Sequence, residues 1–404
     1  MIYLMLIIGI MILSAGYTAY LFDKELFIKI AFVSFALYGK DCEVSGKTNQ
    51  GMLQNLSSGS RFVFPFTLKS EPLKRLLIAD FEKDEEYVSI EPQMYDDTIS
   101  GKGLRVLMYR KDKKVDVYWE PSATFDKKTF NIGGGSGRMS ETEMNPACFD
   151  YTNYGVDINI AFIDKLGRQV EIVIKENSEK NHPFPFLAPV GNDVKSPNKL
   201  FLVYMQRFHF LKQEGTYIHV KVGDRKLIPA TFPISIDKQK VYFIRYSTQM
   251  VIGEINSSVT KPVLLENVRP GIQTSDNMQL MINAAKMVES CWVESGDEKA
   301  MIKFDAGFPN LFSLPQKETI RGKWTYSVSG IDITGGTYIL LRINNNVDVK
   351  LDVTKSWKPE NIPFSFRIVT FLKSSFRTWP KTYSWQATVN LTDNTVKSAW
   401  LRKN

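Results

Sequence analysis

The chain has 404 residues, 44% of them hydrophobic and 23% charged, a globular composition with room for one large or two ordinary cores. Three dispersed cysteines (Cys42, Cys148, Cys291) and three dispersed histidines (His182, His209, His219) exclude a disulfide framework and a compact zinc motif, so neither a metal nor a cofactor is implied. The formal net charge of +8 gathers at one end: residues 354–404 carry nine Lys or Arg against Glu360 and Asp393, together with Trp357, Trp379, Trp385 and Trp400.

Residues 1–22, MIYLMLIIGIMILSAGYTAYLF, carry no charged side chain. About 20 helical residues span the ~30 Å hydrocarbon core of a bilayer, and a lone apolar segment in lipid must satisfy its backbone as a helix. A single-pass N-terminal transmembrane helix is therefore expected. A cleaved signal peptide competes with it, but no Lys or Arg precedes Lys24. Residues 26–38, LFIKIAFVSFALY, are too short to span and fit an interfacial, continuing or buried helix. Lys24, Lys29 and Lys40 follow the span, which favours a body on the cytoplasmic side.

From about residue 60 the texture is strand and turn. Hairpins are predicted at 104–109 with 115–119, 156–163 with 168–174, 216–222 with 226–232, 336–343 with 347–353, and 382–391 with 395–402. In the second, Val156, Ile158, Ile160 and Phe162 share one face, as do Val170, Ile172 and Ile174, the period-2 alternation of half-buried strands. Short Asn/Asp/Gly loops make such pairs antiparallel. Helical patterns are few: 276–290, with Ser275 or Asp276 as N-cap, and 365–379. A β-α-β alternation is missing, which disfavours a doubly wound or α/β-barrel fold. The fold class is thus mainly β, an antiparallel hairpin-rich barrel or sandwich. Its organisation is an anchor and interfacial helix at 1–40, a β domain at 43–250, a linker at 251–275 and a second β domain at 276–404.

The sharpest functional pattern is SFRIVTFLKSSFRTW, residues 365–379, between Pro363 and Pro380. On one continuous helix, Ile368, Val369, Leu372, Phe376 and Trp379 fall on one arc, and Arg367, Thr370, Lys373, Ser374 and Arg377 on the other. Basic residues opposite Leu, Phe and Trp are typical of interfacial membrane helices. Arg367, Lys373, Phe376, Arg377 and Trp379 are therefore candidates for contact with a lipid bilayer. A helix packed on the β body, or a strand, fits the same residues. Nucleic acid is disfavoured as a partner, because RNP, zinc-finger and helix-turn-helix signatures are missing.

Gly133-Gly134-Gly135-Ser136-Gly137 lacks phosphate-loop spacing and reads as a turn; as a lid it would make Arg138 the residue of interest. His209, in Phe208-His209-Phe210, is a strand histidine that could act in acid–base chemistry with His219, Asp305 or Arg245.

Gly322-Lys323-Trp324, followed by Tyr326, resembles the G-x-W signature of lipocalin-like barrels, and tandem forms occur among carotenoid hydratase relatives. The resemblance covers that one motif. It implies a pocket for a hydrophobic small molecule, with Trp324 packed beneath an arginine for which Arg402 is the candidate, and makes Trp324, Arg245 and His209 the pocket residues to test. Three functions follow as expectations: a membrane-anchored protein binding a lipid or other hydrophobic molecule, a hydratase- or isomerase-type enzyme on a hydrophobic substrate, or a non-catalytic membrane-associated interaction protein.

Overall fold

The computed structural model describes residues 61–402 apart from 72, 98–100, 126, 128–133, 179–181, 190–196, 258, 359–360 and 373–374. The expected transmembrane helix and the segment 26–38 lie outside the described residues. Among those described, no helix is long and apolar enough to cross a membrane.

The protein is mainly β, and its described strands form sheets of two, five, ten and nine strands, none of which closes. The barrel half of the expectation is thereby replaced by open sheets. In the nine-stranded sheet every strand pairs with its neighbours in sequence: Gly271–Ser275, Met278–Ile282, Val288–Ser295, Glu298–Phe308, Thr319–Val328, Ile331–Ile343, Asn346–Lys355, Tyr383–Asn390 and Thr395–Arg402. Turn chemistry explains this order. Asn344, in a two-residue loop, and Asn394, closing a four-residue one, adopt φ of 54° and 55°, the left-handed conformation that tight hairpin loops use and Asn tolerates. Four of the five hairpins read from sequence are present; of 216–222 with 226–232 only the turn end forms, Val220–Val222 against Arg225–Leu227, while Pro229 and Thr231 bridge to Phe81 and Tyr242.

Residues 276–290 are a hairpin and not a helix. Met278, Leu280 and Ile282 are buried while Gln279 and Met281 are less so, a period of two. Asp276, read as an N-cap, and Lys286 instead take φ of 51° and 57° in turns. The Asn283 side chain holds the second turn by accepting from Met287 N at 2.9 Å. Segment 251–275 contains strands Val263–Leu265 and Gly271–Ser275 and most of Met250–Ile255.

The ten-stranded sheet runs in the order Leu68–Ser70, Met250–Ile255, Leu200–Lys212, Val241–Ser247, Leu73–Asp80, Tyr87–Asp97, Gly101–Arg110, Val115–Trp119 and Ser136–Glu141, with Phe184–Ala188 beside Leu200–Lys212. Its last two strands are parallel. The first strand and Leu73–Asp80 stand four places apart yet are joined through only Glu71 and residue 72. Four spacings in a flat sheet take about 19 Å, whereas three Cα steps reach at most about 11 Å. The sheet must therefore curl, bringing Glu71 and Glu254 towards Arg105 and Tyr95.

One face of this sheet packs on the five-stranded sheet as a sandwich. Leu77, Ile90, Val106, Met108 and Tyr246 meet Ile158, Ile160, Phe162, Ile172 and Ile174 in one core. The alternation expected for Gly155–Ile163 and Gln169–Glu176 is the buried pattern observed. A second, larger core joins the other face to the nine-stranded sheet. There Phe64 and Phe66 meet Phe304, Phe308 and Trp385 with ring centroids 5.0–5.8 Å apart. The chain enters this core through Phe62–Phe64, whose backbone is held by Asn310: its side chain accepts from Val63 N at 3.1 Å and donates to Arg61 O at 2.8 Å.

Candidate membrane-contact site

In the stretch read as one amphipathic helix, the described residues form α1 (Phe364–Leu372) and α2 (Ser375–Thr378), followed by a 3-10 turn at Trp379–Thr382. Arg367 N donates to Pro363 O at 2.8 Å, closing the first turn of α1. Ser365 lies inside α1. The inner face of α1 buries Phe366, Val369 and Thr370. The Phe366 ring sits 5.2, 5.5, 6.1 and 5.5 Å from Phe184, Phe186, Phe208 and Phe210.

The outer face of α1 is apolar as well. Phe364, Ile368, Phe371 and Leu372 are 77%, 44%, 67% and 60% exposed. At 100° per residue they share an arc of about 100°, opposite Phe366 and Val369. Arg367 is exposed on the flank of that arc. Isolated exposed hydrophobics are ordinary, but four on two turns of one helix form a patch of the kind that marks an interaction surface.

This changes the residues of the site. Phe376 and Trp379, expected at the membrane surface, are buried in the core. Phe376, on α2, faces inward, its ring centroid 5.6 Å from that of Phe186. Arg377 lies on α2, and Lys373 falls outside the described residues. Phe364 and Phe371, now the most exposed of the patch, were missed because a single 15-residue arc put them off its apolar side.

The three candidate pocket residues are not brought together. Trp324 is wholly buried on the nine-stranded sheet, its indole donating to Asp352 O at 3.3 Å. Arg245 and His209 are on neighbouring strands of the ten-stranded sheet but on opposite faces. Arg245 shares a side with Phe243, stacks over its ring at 4.3 Å and donates to Asp80 at 2.8 Å. His209 lies cross-strand from Tyr246, their rings stacked at 5.3 Å, towards the sandwich core. His219 pairs with Glu171 at 3.4 Å on the five-stranded sheet, and Asp305 is exposed on the nine-stranded sheet. The four groups considered for acid–base work therefore occupy separate regions. Arg402 stacks over Tyr383 at 5.0 Å.

Two polar clusters were invisible in the sequence because their members are far apart in it. In the first, Glu86 accepts from Arg138 at 2.6 Å, Arg168 at 2.8 Å and Arg225 at 3.0 Å. Arg138 also reaches the fully buried Asp116 at 3.1 Å, so the residue flagged beside the glycine run is held in an ion network between two sheets. In the second, at the curled edge of the ten-stranded sheet, Glu254 is bonded by Lys199, and Glu71 lies 3.8 Å from the same ammonium. Burial, and then the neighbouring Glu254 carboxyl, push Glu71 up from 4.5 to about 7. The folded protein keeps a proton there that the unfolded chain has already released, so stability falls as pH rises from about 4.5 to about 7. Glu71→Gln should remove this fall, raising stability at pH 8 by about 1–2 kcal/mol and leaving pH 5 unchanged. Urea melts at the two pH values measure it; an equal effect at both would contradict it.

Comparisons of the chain with protein-family models, characterised proteins and solved structures gave no match.

Proposed function

We propose that this chain is a membrane-anchored, non-catalytic interaction protein whose β body engages lipid at the bilayer surface through α1. The observation that carries the reading is the outward apolar face of α1, Phe364, Ile368, Phe371 and Leu372, fixed to a rigid aromatic core on its other side. That outward face stays exposed among the described residues and can take a neighbour. The charge-free segment 1–22 supports a bilayer as that neighbour, because an anchored body meets the membrane at high effective concentration. The dispersal of His209, His219, Asp305 and Arg245 favours binding over catalysis.

The test uses the full chain reconstituted into vesicles, with Cys42 and Cys148 changed to Ser; Cys291 is buried. A fluorophore on Leu372→Cys should be quenched by lipid carrying a nitroxide on its acyl chain. A fluorophore on Tyr217→Cys, exposed on the five-stranded sheet, should not. Equal quenching at the two positions, or none at Leu372→Cys, would overturn the proposal.

A further inference from the structure

We infer that the lipid this site selects is anionic, an inference that rests on the membrane contact proposed above. On the two sheets of the sandwich, six guanidinium groups are taken up by carboxylates. Arg75 pairs with Asp150, Arg110 with Asp112 and Asp116, Arg138 and Arg168 with Glu86, Arg225 with Asp84 and Arg245 with Asp80.

Around α1 the sequence gathers cations with little acid. Lys358, Arg367, Lys373, Arg377 and Lys381 lie within 24 residues of sequence that hold Glu360 as the only acid. Lys358, Arg367 and Lys381 are exposed, and none of the three has a salt bridge among the described residues. Arg367 on the flank of the apolar arc, with Lys358 and Lys381 on either side of α1 in sequence, suits an interface in which the acyl region takes Phe364 and the headgroups take the cations. A zwitterionic headgroup carries its own counter-charge and adds little. An anionic one supplies the missing partner.

Each Lys or Arg near an anionic surface favours contact by about 1 kcal/mol, or ~5-fold. Removing two cations should therefore lower the docked-to-undocked ratio ~25-fold, and reversing them should lower it at least as far. The apolar face would remain intact, because Lys358 and Lys381 are exposed and outside α1.

The experiment repeats the Leu372→Cys quenching in vesicles of phosphatidylcholine alone and of equal parts phosphatidylcholine and phosphatidylglycerol. Quenching should be stronger in the mixed vesicles. It should fall towards the phosphatidylcholine level as salt rises from about 0.1 M to about 1 M and the Debye length shrinks from ~10 Å to ~3 Å. Lys358→Glu with Lys381→Glu should abolish the difference between the lipids. Equal quenching in both vesicles would overturn the inference while leaving the membrane contact standing. Quenching in neither would overturn the contact itself, and with it this inference.

Discussion

Glu86→Gln is expected to destabilise the protein by about 3 kcal/mol at pH 7, with the loss shrinking to near zero by pH 2. Glu86 is mostly buried and is the acceptor shared by Arg138, Arg168 and Arg225. Burial alone would raise its carboxyl, but hydrogen bonds from Arg168, Arg138 and Arg225 more than reverse this and hold it at about 2, against an ordinary 4.5. A depressed carboxylate contributes stability that is present above about 4.5 and is lost as pH falls towards about 2. A shift of about 2.5 pH units corresponds to about 3 kcal/mol, in the range measured when one partner of a buried pair is removed. The neutral amide would leave three guanidinium groups sharing Asp84, Glu85, Asp116 and Asp164. Arg138 comes from the ten-stranded sheet, while Arg168 and Arg225 flank strands of the five-stranded sheet. The substitution should therefore loosen the sandwich. Urea unfolding of the two proteins at pH 7 and pH 3 decides it; a constant difference across that range would show that charge at Glu86 is not what matters.

The parts of this fold that were legible in the sequence are those whose physics is local. A hairpin declares itself in alternation plus a turn residue, as at Asp348–Asp352 facing Thr337–Leu341 through Asn344. Residues 276–290 were misread because Met278, Met281, Ile282 and Val288 also fit a helical stripe. What decides between the periods is the next strand: Leu280 faces Cys291 and Gln279 faces Trp292 in register. Pairings between distant segments had no local signature. Leu73–Asp80 binds Val241–Ser247, and the Glu86 network draws on residues spread over more than 130 positions. The candidate site was half legible for the same reason. Its composition located α1 on the chain, but that helix carries aromatics on both sides, Phe364 outward and Phe366 inward, and only the core around Phe186 determines which turn inward.

Phe364 and Phe366 stand two positions apart and should behave as opposites. Phe366→Ala is expected to cost about 3–5 kcal/mol, the usual loss for a buried aromatic in a core that cannot collapse. The Phe366 ring meets five others: Phe376, and Phe184, Phe186, Phe208 and Phe210 from two paired strands of the ten-stranded sheet. Those rings are themselves packed against Trp357 and Phe232, so little is free to fill the gap. Phe364→Ser removes a side chain that is mostly in water and should change stability by less than about 0.5 kcal/mol. Its effect should fall on the membrane instead: quenching at Leu372→Cys by acyl-chain nitroxide should drop, because the leading residue of the apolar patch is gone. Phe366→Ala acts on the same readout by loosening the platform that aims the patch, and only alongside a lowered melting temperature. Melting temperature and quenching measured on both variants separate the two faces of α1. A large stability loss in Phe364→Ser would mean that its side chain is covered by protein, and the outward face would then belong to the core.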